Sequence, residues 1–283
     1  MTYAHEQGSE IFSPGLLDGL VALVTGGGTG LGKATAIELS RCGALVVIAG
    51  RREEMLEQTS HEIGPSCSWI TADVREPEQA SRLVRGVLER HGRLDILVNN
   101  AGGQYFVPAE AINMKGFKAV WRLNVDGTVN MAKAAFDLAM APVKAGTIIN
   151  VTLSPHHGMP GMAHSGSARA AVEALTAELG QKWRTHGVSV IAVAAGHFDT
   201  EVLDKYPLPV RAGAARTVPL QRLGRPQEHA WAVALLASGL GDVFNGRVVT
   251  LDGARDNWFG PWPPPTLTDE SGVVPTEERG IRR

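Results

Sequence analysis

The chain has 283 residues, of which 44% are hydrophobic and 20% charged. That apolar share suffices for a large core and excludes a disordered or fibrous chain. Lys and Arg total 27 against 29 Asp and Glu, a formal charge of −2, so no basic excess points to nucleic acid or a membrane surface. Two cysteines, Cys42 and Cys67, are too few for a disulfide framework or a thiolate zinc site. The opening MTYAHEQGSE has no basic region followed by an apolar one. The longest weakly polar run, around 230–240, falls far short of the roughly 18 residues that span a bilayer. A soluble, cytoplasmic protein is expected.

Short β-branched runs alternate with longer segments of helical period. VALVT (21–25), ALVVIA (44–49), CSWIT (67–71), LDILVN (94–99), GTIINVT (146–152), VSVIAVA (188–194) and GRVVTL (246–251) read as strands. Each is a nearly continuous apolar run, as a parallel sheet buried on both faces requires. Between them, Leu31–Arg41, Arg52–Ile63, Pro77–His91, Phe117–Met140, Ser167–His186 and Pro226–Ser238 read as helices. Leu83, Val84 and Val87, for example, recur at helical spacing among charged neighbours. The alternation predicts a doubly wound, three-layer α/β sandwich around a seven-stranded parallel sheet. Residues 1–14 read as an N-terminal extension, 15–256 as one domain, and 257–283 as a proline-rich tail whose Trp258, Phe259 and Trp262 could dock on a neighbouring subunit.

Gly26, Thr29, Gly30, Leu31 and Gly32 belong to TGGGTGLG, directly after the first strand and opening the first helix. Glycines there permit positive φ and let backbone N–H groups approach a pyrophosphate at the helix N-terminus. At the end of the second strand, Gly50 stands where an acid would hydrogen-bond a ribose 2′-hydroxyl, and Arg51 and Arg52 follow. Forked cations at that place suit a 2′-phosphate, so NADP is expected over NAD.

With these motifs in register, the chain resembles the short-chain dehydrogenase/reductase family, whose fingerprint is TGxxxGxG and whose fold is of Rossmann type. The resemblance spans about residues 15–256 and implies further roles. Asp73 and Val74 match the pair that contacts adenine, and Asn100, Ala101 and Gly102 fall in the NNAG element. Asn124 matches the helix asparagine of the active site. Gly196, Phe198 and Thr200 lie in AGHFDT, which resembles the P-G-x-x-x-T element beside the nicotinamide, with Ala195 in place of proline. A small-molecule substrate and a homodimer or homotetramer are implied as well.

The family's Tyr-x-x-x-Lys is absent: Ser165 and Arg169 stand at those places, in HSGSARAAVEALT. Serine is shorter and far less acidic than a phenol, and arginine does not deprotonate. The family's serine falls on Thr152, or on apolar Leu153 if the loop is one residue short. This pattern resembles the branch containing 2,4-dienoyl-CoA and trans-2-enoyl-CoA reductases, in which some members carry AGSAK there. Hydride addition to a conjugated thioester generates an enolate, so such a site must chiefly stabilise an oxyanion. In dienoyl reductases a tyrosine from the loop after the fifth strand assists; here that loop offers His156 and His157 as the available acids. His164 could be a pocket donor, and Tyr105 faces the cleft in the family. An enoyl or dienoyl reductase is expected, with Arg169 on the ribose and Asn124, Thr152, Ser165 or a loop histidine supporting the chemistry. A catalytically silent subunit paired with an active paralogue, or a non-redox enzyme using the same cleft, remain the alternative readings.

Overall fold

The computed structural model describes residues 4–158, 161–201, 203 and 213–257. Its core is one parallel sheet of β1 (Val21–Thr25), β2 (Leu45–Gly50), β3 (Cys67–Thr71), β4 (Ile96–Asn99), β5 (Gly146–Leu153), β6 (Val188–Ala195) and β7 (Val248–Leu251), in the order β3-β2-β1-β4-β5-β6-β7. The chain winds outward from β1 to β3, then crosses back and continues from β4 to β7. The reversal between β1 and β4 opens a crevice at the carboxyl ends of those strands.

Alternate strand residues supply two apolar layers. Ala22, Val24, Val46 and Ile48 face α1 (Gly30–Arg41) and, through Leu56 and Ile63, α2 (Glu53–Ile63). Val21, Leu23, Val47 and Ala49 face the opposite layer, which includes α3 (Pro77–His91). Helix α3 begins with proline at its first turn and ends on left-handed Gly92, φ +75°, the asymmetry these two residues favour. Its Leu83, Val84 and Val87 are buried, as their spacing requires.

The long helix expected over 117–140 is interrupted. It runs as α4 (Met114–Trp121), a π turn at Arg122–Asp126, α5 (Gly127–Ala135), a second π turn at Phe136–Met140 and α6 (Ala141–Val143). At the first π turn Asn124 Nδ2 donates to Val120 O at 2.7 Å, the carbonyl its own N–H would take in a regular helix. Gly127 N–H reaches back instead to Arg122 O, five residues away. A periodic apolar pattern carries no sign of this, because the side chain that competes for the carbonyl is one polar residue on a single turn. Helices α7 (Ala163–Trp183) and α8 (Pro226–Ala237) complete the layers. Helix α7 starts four residues earlier than its pattern suggests, which brings Ser165 and Arg169 onto the same helix.

The N-terminal extension is partly built into the domain. Residues Ala4–Gln7 form a 3-10 turn against α1, where Arg41 donates to Ala4 O and to Gln7 Oε1. Ser9 Oγ donates to the buried carboxylate of Glu38 at 2.5 Å. The aromatics of the tail lie outside the described residues. No helix among the described residues is long and apolar enough to cross a membrane.

His229 on α8 is fully buried, and burial pushes its imidazole down to about 4. Below pH 6.5 the unfolded chain takes up a proton that the folded one refuses, so stability falls as pH drops from 6.5 towards 4. The expected loss from this residue is about 3 kcal/mol at pH 4. Urea unfolding of wild type and His229→Leu at pH 7 and pH 4 checks it: the acid-side loss should shrink by that amount in the variant.

Candidate active site

The turn after β1 and the turn after β4 are locked together. Thr25 Oγ1 donates to Val98 O and accepts from the N–H groups of Asn100 (3.1 Å) and Ala101 (3.0 Å). Asn100 Nδ2 donates back to Thr25 O and Gly26 O. Gly26 sits at φ +67°, a region that favours glycine. A Cβ on Gly32 would lie 2.3 Å from Gly26 O and 2.4 Å from Asn100 Nδ2. Gly32 therefore works below the cleft surface, letting α1 approach the turn.

Above this lock lies a cleft of about 420 Å³ along the carboxyl ends of the strands. Gly26, Thr29, Gly30 and Leu31 form its floor at the start of α1. Arg51, Arg52, Asp73 and Val74 line one end, and Asn100, Ala101 and Gly102 the middle. Thr152, Arg169, Gly196, Phe198 and Thr200 line the other end. The structure thus brings sixteen of the residues singled out in the sequence to one cavity. A Cβ on Gly30 would meet nothing nearer than Thr200 Cβ at 4.0 Å, so the helix N-terminus stays open to a ligand.

At the first end, Arg51 and Arg52 are exposed, and Arg52 Nη2 donates to Thr29 Oγ1 at 3.3 Å. Gly50 adds no acid. Asp73 is held by Arg75 through three side-chain hydrogen bonds. These bonds keep its carboxyl below the usual range, against a weaker opposing effect of burial.

At the other end, Arg169 Nη1 donates to Val151 O at 2.7 Å. A Cβ on Gly102 would lie 2.3 Å from Arg169 Nη2 and 2.8 Å from Asn124 Oδ1, so the guanidinium passes directly over that glycine. Asn124 is fully buried and does not line the cleft. It donates to Gly103 O and Val120 O and accepts from Gly103 N–H, bracing the loop after β4. Ser165, also fully buried, donates to Gln104 Oε1 at 3.0 Å. Gln104 lines the cleft, and the sequence reading passed over it. The signal that could have found it is its place, two residues after Gly102 in the loop that opens into the crevice.

Thr152 and the loop histidines are paired with carboxylates. The Thr152 hydroxyl donates to Glu173 Oε1 at 2.7 Å. His156 and His157 do not line the cleft among the described residues. Both are drawn to Asp256 after β7, His156 at 2.5 Å and His157 at 3.5 Å, and His156 also faces Glu173 at 3.2 Å. Carboxylates distant in sequence decide their direction. The Tyr105 and His164 rings pack against each other at a tilt of 58°, centroids 4.5 Å apart. His164 is buried with neither ring nitrogen hydrogen-bonded, and burial lowers its pKa. His197 lines the cleft. Burial, aided by the charge of Arg255 and opposed by Asp252, pushes its imidazole down to about 4, so it is neutral at pH 7.

Comparison with known proteins agrees with this architecture. Residues 20–208 match the short-chain dehydrogenase family model. The chain is 37% identical over 253 residues to a peroxisomal 2,4-dienoyl-CoA reductase [(3E)-enoyl-CoA-producing] of Danio rerio, covering 87% of this chain and 84% of that protein. It is 34% identical over 249 residues to a probable 2,4-dienoyl-CoA reductase [(2E)-enoyl-CoA-producing] of Bacillus subtilis (strain 168), covering 85% and 97%. A solved structure of a citronellol catabolism dehydrogenase from Pseudomonas aeruginosa PAO1 shares 40% identity at a TM-score of 0.78, covering 87% of this chain and 98% of that one. The chain belongs to the short-chain dehydrogenase/reductase family and is an oxidoreductase of that class, with a seven-stranded, doubly wound Rossmann-type fold.

Proposed function

We propose that this chain reduces a conjugated enoyl or dienoyl substrate, a CoA thioester among the candidates, with NADPH as the hydride source. The observation that carries the reading is the hydrogen bond from buried Ser165, at the helix position where the family usually places a tyrosine, to the cleft-lining Gln104. A serine donating its only hydroxyl hydrogen to a carboxamide offers no phenol for deprotonating an alcohol. The pair instead fixes the orientation of Gln104. Gln104 lines the cleft, and a carboxamide N–H there would serve as a donor to a substrate carbonyl oxygen. A fixed donor suits a reaction that places negative charge on a thioester oxygen. The names of the Danio rerio and Bacillus subtilis relatives support the same substrate class.

The cleft fits a dinucleotide. The open floor at Gly30 and the backbone N–H groups of the first turn would hold the pyrophosphate, and Arg51 and Arg52 a 2′-phosphate. Arg169 would hold the nicotinamide ribose with a charge that no pH in the working range removes. When bound, the cofactor supplies the hydride. Gly102, lacking a side chain, lets the guanidinium lie over the loop at that point.

The test is a titration with NADPH and with NADH, followed by turnover assays with a 2,4-dienoyl-CoA and a trans-2-enoyl-CoA. NADPH is expected to bind at least tenfold tighter than NADH, a difference of about 1.4 kcal/mol, and the dienoyl thioester to be reduced. Folded protein that binds NADPH yet turns over neither thioester would overturn the substrate reading. Failure to bind either nucleotide would favour a catalytically silent subunit.

A further inference from the structure

We propose that His156 is a positioning residue that clamps the Asp252–Asn257 segment onto the end of β5 and thereby braces the Gly196 turn at the nicotinamide end of the cleft. This role is independent of which substrate is reduced. Both ring nitrogens of His156 face carboxylates: Nδ1 lies 2.5 Å from Asp256 Oδ2 and Nε2 lies 3.2 Å from Glu173 Oε1. Its backbone N–H donates to Asp256 Oδ1 at 2.6 Å. A neutral imidazole has one N–H, so only the imidazolium donates to both partners at once.

The clamp is tied to the cleft wall. Ser154 Oγ donates to Asp252 Oδ2, and Asp256 N–H donates to the same oxygen at 2.7 Å. Gly196, which lines the cleft, donates its N–H to Leu251 O at 3.0 Å. A Cβ on Gly196 would lie 2.5 Å from Asp252 Cβ, so movement of Asp252 is transmitted to the turn. On α7, Glu173 is one turn beyond Arg169 and also accepts the Thr152 hydroxyl. The clamp thus joins β5, α7 and the segment after β7 at one histidine.

The charged and titratable groups around this point are Glu173 from α7, Asp252, Arg255 and Asp256 from the segment after β7, His157 from the same loop, and neutral His197 after β6. Burial alone would lower the His156 pKa. The hydrogen bond to Asp256 and the charges of Glu173 and Asp256 outweigh it and raise the pKa above the ordinary 6.5. The clamp is therefore fully charged below pH 6.5 and loosens as pH rises through the raised value. There a nitrogen lone pair comes to face a carboxylate.

Amide hydrogen exchange on the full-length, cofactor-free protein from pH 6 to pH 9, corrected for intrinsic exchange, tests this. Protection at the His156, Asp256 and Gly196 amides should fall about tenfold across that range, and 15N spectra at pH 6 should show both His156 nitrogens protonated. His156→Ala should lose the protection at every pH. Glu173→Gln gives the discriminating result. Its amide can donate to a neutral imidazole, so the protection should persist to pH 9. Protection that does not vary with pH in the wild type, or that falls equally in Glu173→Gln, would overturn the proposal. A neutral His156 at pH 6, or unchanged protection in His156→Ala, would do the same.

Discussion

Replacing Arg51 and Arg52 together by alanine is expected to weaken NADPH binding about 100-fold while leaving NADH within roughly threefold of wild type. Each guanidinium offers forked donors to a dianionic 2′-phosphate, and a hydrogen bond between charged partners is worth about 1.5–3 kcal/mol. Both side chains line the cleft beside Gly50 and are exposed, so their loss leaves no buried charge behind and little cost in stability. The single variants should separate unequally, because Arg52 is already turned towards Thr29. The wild-type preference should also narrow with added salt, as interactions between exposed charges are screened. Fluorescence titrations with both cofactors at two ionic strengths measure all of this. Equal losses for NADPH and NADH would show that the arginines shape the turn and do not read the phosphate.

Gln104→Glu is expected to lower kcat on a dienoyl thioester by about 100-fold or more, the scale seen when one oxyanion donor is removed. The cofactor dissociation constant should change little. The substitution keeps the length and shape of the side chain but replaces a donor with a carboxylate that only accepts, placing negative charge where negative charge must develop. Gln104→Ala should show a similar loss without the repulsion. Ser165→Ala should cost less, about tenfold, because the carboxamide would remain but lose its fixed orientation, and Ser165→Thr should recover part of the rate. Ser165→Ala added to Gln104→Ala should cost almost nothing further, since one acts through the other. Additive losses would mean that Ser165 has its own contact with substrate or cofactor.

The pairing of Ser165 with Gln104 changes what the departure from Tyr-x-x-x-Lys means. In the linear chain, Ser165 and Arg169 read as two missing functions. In the fold each has a defined partner: Ser165 the Gln104 carboxamide, and Arg169 the Val151 carbonyl above Gly102. Arg169 lines the cleft, and Ser165, itself buried, is hydrogen-bonded to Gln104, which lines it too.

The sequence alone determined the sheet, the glycine-rich turn at the cleft floor and the family. Those features are written in short windows: continuous apolar runs for buried parallel strands, and TGGGTGLG between a strand and a helix. Backbone conformation and local chemistry fix them, so neighbours in sequence carry the information. Tertiary structure alone decided the direction of each polar side chain around the ends of β5 and α7. His156 and His157 turn to Asp256, about a hundred residues away, Thr152 turns to Glu173, and Ser165 reaches Gln104 across 61 positions. A hydroxyl or imidazole takes whichever charged or polar partner the packed helices bring within about 3 Å, and no local pattern records which one that will be. The π turn at Asn124 has the same origin: a side chain held by Gly103 and Val120 outcompetes the regular helix bond.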